Sequence, residues 1–125
     1  MKFIDISHRR SGKTTRALAL ISLTKGQFKN IVVHAHNHMM AKEYASKIIE
    51  IFDGYQGVVP KVIAYSYGST GLYRINEYGF DSQTTLHVFD EVDISDTIRY
   101  TTEDSISKYI EGHGITNYIY VSFYH

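Results

Sequence analysis

Lys2–Ser7 (KFIDIS) runs into a polar loop, and beyond Gly12-Lys13-Thr14-Thr15 the apolar pattern changes period. Before the loop a short apolar run reads as a strand. After it Ala17, Leu18, Ile21 and Leu20 fall on one helical stripe, with Gly26 as the expected stop. The same switch recurs. Asn30–Ala35 (NIVVHA) reads as a buried β-branched strand, and Ala41, Ala45, Ile48 and Phe52 repeat at helical spacing up to Asp53-Gly54. Pro60 precedes a strand at Lys61–Ser66, and Thr85–Phe89 is a strand whose tip is Asp90-Glu91. Thr101–Glu111 reads as a helix with Asp104 completing a capping box and Gly112 behind it, and Asn117–Tyr124 is a last apolar strand. Strands that alternate with helices need crossover connections, which gives parallel pairing and helices on both faces. The expected fold is therefore α/β, a mostly parallel sheet in a single domain over residues 1–125.

That length suffices for one hydrophobic core, and 43% hydrophobic with 21% charged residues are globular values. The chain has no cysteine, which excludes disulfides and thiolate metal sites. No run approaches the ~20 apolar residues of a membrane span, and the charge inside Met1-Lys2-Phe3-Ile4-Asp5 does not suit a signal peptide. A cytoplasmic protein with no membrane partner is expected. The net charge is zero but unevenly spread. Residues 1–50 hold nine Lys/Arg against three Asp/Glu (9 − 3 = +6), and residues 51–125 hold four against ten (4 − 10 = −6). A basic half facing phosphates and an acidic half holding metal ligands is one reading; two solvated faces is the other.

The loop itself carries chemistry. Backbone N–H groups at a helix start surround an anion, aided by the helix dipole. In that arrangement Arg10, Ser11, Gly12, Lys13, Thr14 and Thr15 would cradle a nucleotide's phosphates, with Lys13 reaching the β- and γ-phosphates and the Thr14 hydroxyl ligating Mg²⁺. The glycine expected six residues before the lysine is replaced by Ser7, which weakens the motif without voiding it, since serine is tolerated where φ stays negative.

A phosphate loop needs a metal, and the metal needs a carboxylate at a neighbouring strand tip. "TLHVFDEVD" supplies it: Asp90 would hold Mg²⁺, and Glu91 would polarise the attacking water as general base.

With these residues in view, the chain resembles the ASCE division of P-loop NTPases, and within it the RecA-like ATPase lobe of helicases and phage terminase large subunits. "HRRSGKTT" is similar to the terminase Walker A, where Arg9 occupies the place of an arginine four residues before the lysine. "IVVHAHNHMMAKEYASKI" is similar to the strand and helix that follow Walker A, "LHVFDEVD" looks like Walker B, and Ser122 in "YIYVSFYH" matches the strand-ending residue of the coupling motif. The resemblance implies a Mg-dependent ATPase with ATP and Mg²⁺ as cofactors, with Lys13, Glu91 and Arg9 catalytic and Thr14 and Asp90 on the metal. It also implies phage-encoded work in DNA packaging or another nucleic-acid transaction in the host cytoplasm. With six residues before Ser7 and an end at His125, neither an upstream adenine-reading segment nor a second lobe or nuclease domain is expected. A homo-oligomer or partner protein would then supply the completing arginine, from Arg74 or Arg99 in trans, unless Arg9 or Arg10 serves in cis. Two rival readings remain: a small nucleoside or nucleotide kinase on the same fold, and a non-catalytic nucleotide-binding regulator.

Other residues invite functional readings. His34, His36 and His38 alternate at a metal-like spacing; the stronger expectation puts His34 and His36 at a strand end near phosphates or nucleic acid, with His38 opening the next helix. Most of the eleven tyrosines, Tyr118, Tyr120 and Tyr124 among them, read as sheet core. Residues 67–83 have no clear period and are expected to be loop. There Tyr67, Tyr73 and Tyr78 surround Arg74, a set suited to stacking on single-stranded DNA, with a packed Ω-loop as the alternative.

Overall fold

The computed structural model describes residues 1–7, 12–35, 37–66, 80–90 and 102–123. In chain order these form β1 (Lys2–Ser7), α1 (Lys13–Leu23), β2 (Asn30–Ala35), α2 (His38–Ile51), β3 (Lys61–Ser66), β4 (Thr85–Asp90), α3 (Glu103–Gly112) and β5 (Tyr118–Phe123). The strands make one sheet in the order β1-β5-β4-β2-β3, and every neighbouring pair is parallel. The α/β class and the parallel sheet agree with the sequence reading.

Period-two alternation sorts the strand side chains between two cores. On one face Ile31, Val33, Leu86, Val88, Ile119 and Val121 pack under Ala17 and Ile21 of α1 and Tyr44, Ala45 and Ile48 of α2. On the other, Phe89, Tyr118 and Tyr120 pack under Ile106 and Ile110 of α3. The division follows from crossover handedness. The connections through α1 and α2 move along the sheet towards β3, whereas that through α3 moves back towards β1. Crossovers of one hand running in opposite directions must cover opposite faces.

Helix ends depart from expectation in small, explicable ways. Helix α1 stops at Leu23, short of Gly26, because the Thr24 hydroxyl and amide both donate to the Ile21 carbonyl, at 2.7 and 3.0 Å. The chain then uses the left-handed φ of +87° at Gly26 for the turn that follows. Helix α3 is capped by Thr102, not Thr101: its side chain accepts the Ser105 amide at 3.2 Å, moving the cap one residue along. Gly112 is helical, and the left-handed residue after α3 is Gly114.

Among the described residues, no helix is long and apolar enough to cross a membrane.

Candidate functional site

In a parallel sheet all strand C-termini lie on one edge, so Ser7, Ala35, Ser66 and Asp90 share an edge with the starts of α1 and α2. Neighbouring strands β2 and β4 send the chain in opposite directions, β2 towards β3 and β4 towards β5. Between such strands a crevice opens at the carboxyl edge, the general ligand position in open α/β sheets. Ala35 and Asp90 are register partners at that point.

Three elements converge there. Gly12 immediately precedes α1 with φ +82° and ψ 21°, a left-handed conformation. An added Cβ would meet only the Arg16 Nη1 atom at 3.6 Å, so glycine is required by the backbone angle and not by space. The first helical bond of α1 runs from the Arg16 amide to the Gly12 carbonyl at 3.0 Å. The amides of Lys13, Thr14 and Thr15 therefore have no partner within the helix. Among the described helices, α1 alone has no side-chain cap bond; α2 is capped by Asn37, which accepts the Met40 amide at 2.9 Å, and α3 by Thr102. Arg16 fixes this helix start against β1, its Nε donating to Asp5 Oδ2 at 2.8 Å and its Nη2 to the same oxygen. Lys13 is buried, at 8% exposure, Thr14 is half-buried and Thr15 exposed.

A cavity of about 120 Å³ lies between α1, α2 and the tip of β4, lined by Thr14, Met40, Glu43, Tyr44, Lys47 and Asp90. It brings together Thr14 and Asp90, the two residues paired by sequence reasoning as metal ligands. A volume near 30 Å³ per water leaves room for roughly four waters. A hydroxyl, a carboxylate and retained water fit Mg²⁺, which dehydrates reluctantly and takes few protein ligands.

Met40, Glu43, Tyr44 and Lys47 were not anticipated. They follow i, i+3, i+4, i+7 along α2, beside the apolar stripe of Ala41, Ala45 and Ile48. The stripe was legible, but which of its flanks would border Asp90 depends on the strand order. Tyr44 is 3% exposed and its hydroxyl has no hydrogen-bond partner. Burial first, and the Asp90 carboxylate second, raise its pKa.

For His34 the expectation is overturned. His34 points to the α3 face, away from α1 and the cavity, and is fully buried. Its Nε2 lies 2.8 Å from His87 Nδ1, a hydrogen bond in which one ring donates and the other accepts. The His34 ring also stacks on Phe89, with centroids 4.4 Å apart, and on Tyr65 at 5.9 Å. Burial lowers the pKa of both histidines, that of His87 to about 4, with His87 adding to the depression at His34. His38 does open α2, and it is exposed. Among the described residues no cluster of His, Asp or Glu is arranged to hold a metal. Tyr118 and Tyr120 are buried in the sheet, as expected.

Ser122 shares the α3-face parity of Tyr118 and Tyr120, on the strand between β1 and β4. The other sequence candidates, Arg9, Arg10, Ser11, His36, Tyr67, Tyr73, Arg74, Tyr78, Glu91, Arg99, Thr101 and Tyr124, lie outside the described residues. No family model matches the chain, and no curated protein matches it.

Proposed function

We propose that this protein is a Mg²⁺-dependent P-loop ATPase of the RecA-like type, with the crevice beside Asp90 as its phosphate and metal site. The observation that carries this reading is the cavity in which Thr14, from the start of α1, meets Asp90, from the tip of β4. Each had been assigned the same metal on sequence grounds, and the fold joins them across a large sequence gap.

In this reading the amides of Lys13, Thr14 and Thr15 and the left-handed Gly12 receive the phosphates. The Lys13 ammonium balances their charge, while Arg10 and Ser11 belong to the same loop. Thr14 and Asp90 would hold Mg²⁺, which when bound neutralises charge on the phosphate oxygens. Glu91, next in sequence to Asp90, would take the proton of the attacking water. Arg9 or Arg10 in cis, or Arg74 or Arg99 from another copy or a partner, would stabilise charge at the γ-phosphate. Tyr67, Tyr73, Arg74 and Tyr78 are the residues proposed to contact DNA, which makes terminase- or helicase-like work in DNA packaging the physiological context.

Calorimetry with Mg·ATP tests the site. Lys13→Ala should weaken binding by about 10- to 100-fold, the worth of a charge-assisted contact, and equal affinity in wild type and variant would remove the assignment. Phosphate release measured with and without single-stranded DNA then separates an ATPase from the alternatives. A kinase would release little phosphate until an acceptor is added, and a regulator would release none.

A further inference from the structure

We propose that the Asp5–Arg16 ion pair positions the phosphate loop, holding the first turn of α1 against β1 so that its amides are aimed before the anion arrives. The proposal rests on the phosphate reading of that turn and adds two positioning residues to it. Asp5 interrupts an apolar row. On β1 it shares the parity of Phe3, which packs against the α1/α2 core, and its register partner Val121 is buried in that core. Leucine at this place would continue the row, so packing does not account for a carboxylate that is only 14% exposed. Arg16 does account for it: its Nε donates to Asp5 Oδ2 at 2.8 Å and its Nη2 to the same oxygen.

The guanidinium also sits on the turn. A long helical side chain leans back towards the helix N-terminus and covers the turn before its own Cα. From α1 the guanidinium returns to Gly12, where its Nη1 lies 3.6 Å from the position a Cβ would take. The Arg16 amide holds the same residue, donating to the Gly12 carbonyl at 3.0 Å. Gly12 keeps φ at +82°, although a glycine has many other backbone angles open to it. Arg16 thus restrains Gly12 through both its backbone and its side chain, and Asp5 ties Arg16 to the sheet. A pair whose arginine is 46% exposed contributes little to global stability. Its effect is local: fewer arrangements of the first turn are given up when phosphates bind. Charge makes this role distinguishable. Asp5 is an anion beside an anion site, so its removal would strengthen phosphate binding if charge alone mattered. Loss of a positioning contact weakens it.

The test compares wild type, Asp5→Leu, Arg16→Gln, the double variant and Lys13→Ala. Calorimetry with Mg·ATP gives affinity, hydrogen exchange of the ligand-free protein reads the Arg16 amide, and thermal unfolding reads the fold. Asp5→Leu should weaken Mg·ATP by about tenfold, within the usual coupling between contacting residues. Arg16→Gln should do the same, and the double variant should be no weaker than either single one. Exchange at residue 16 should rise by about tenfold in both single variants, through local opening of the turn, while the unfolding midpoint shifts by only a few degrees. If Lys13→Ala weakens Mg·ATP but Asp5→Leu leaves it unchanged or tightens it, positioning is refuted and the phosphate site stands. Losses that add in the double variant would make Arg16 a direct phosphate contact and overturn the role of the pair. Unchanged exchange at residue 16 would overturn it too. If Lys13→Ala leaves affinity unchanged, the phosphate reading falls and the proposal falls with it. A midpoint lower by about 10 °C or more in both single variants would make the pair structural and overturn the proposal.

Discussion

Strand β4 presents Leu86, Val88 and Asp90 to the α1/α2 face and Thr85, His87 and Phe89 to the α3 face. On the first face the apolar row ends at the carboxyl edge in an open cavity lined by Thr14, Tyr44 and Asp90 among others. On the second, even the polar side chains are enclosed: His34 and His87 satisfy each other and sit in a row of rings running from Tyr65 through Phe89 to Tyr120. The same sheet thus stores its polar groups in two ways. One face gathers polar side chains around an open cavity at the strand tips, and the other pairs its two buried histidines with each other. A histidine is therefore a poor guide to a site until its face is known.

The comparison can be broken most severely at Glu91. Glu91→Gln should reduce ATP hydrolysis by about 10²–10⁴, the usual contribution of a general base, while ATP still binds. Phosphate-release assays beside calorimetry read both. Wild-type turnover would transfer support to the kinase or regulator readings.

Next comes the opposite face. Ile110→Ala on α3, fully buried, should lower stability by about 2–5 kcal/mol in urea titrations. Nucleotide affinity of the folded fraction should not change, because the α3 core does not border the cavity. A parallel loss of affinity would mean that the two faces are coupled.

The histidine pair sharpens the same contrast through pH. Both rings are held neutral, with folded pKa values below the ordinary value near 6.5. The unfolded chain takes up protons as pH falls through about 6.5 and the folded chain does not. Stability is therefore full above that pH and declines on acidification, until His87 protonates in the fold at about 4. Each histidine contributes a slope of up to about 1.4 kcal/mol per pH unit in this window. Urea midpoints at pH 7.5, 6 and 5 should show the decline, and the double variant His34→Phe/His87→Phe should flatten it. An equal decline in the double variant would assign the acid sensitivity elsewhere.

The smallest effect belongs to the turn into α1. Gly12→Ala places a side chain at φ +82° and should cost about 1–2 kcal/mol of stability. Urea unfolding without nucleotide checks it, and a neutral result would mean that the loop relaxes to negative φ.

The sequence by itself determined the element types and most of their limits. The six-residue runs Asn30–Ala35 and Lys61–Ser66 were legible in full because β-branched patterning and Pro60 act locally. Gly12-Lys13-Thr14 and Asp90 were legible as candidates placed at strand ends because their spacing relative to those ends is local too. Helix ends were less so, since Thr24 and Thr102 won caps through single hydrogen bonds that compete with equally plausible neighbours. Only the tertiary structure decided that β5 lies between β1 and β4, that α1 and α2 share a face, and that the shared face is the one bearing Asp90. From those decisions follow the cavity, the place of Tyr44 beside it and the burial of His34 behind the sheet. A period of two says that His34 and Ala35 face opposite ways, but not which way is core. That choice is made by the crossover hand and the strand order, which depend on contacts between residues far apart in the chain.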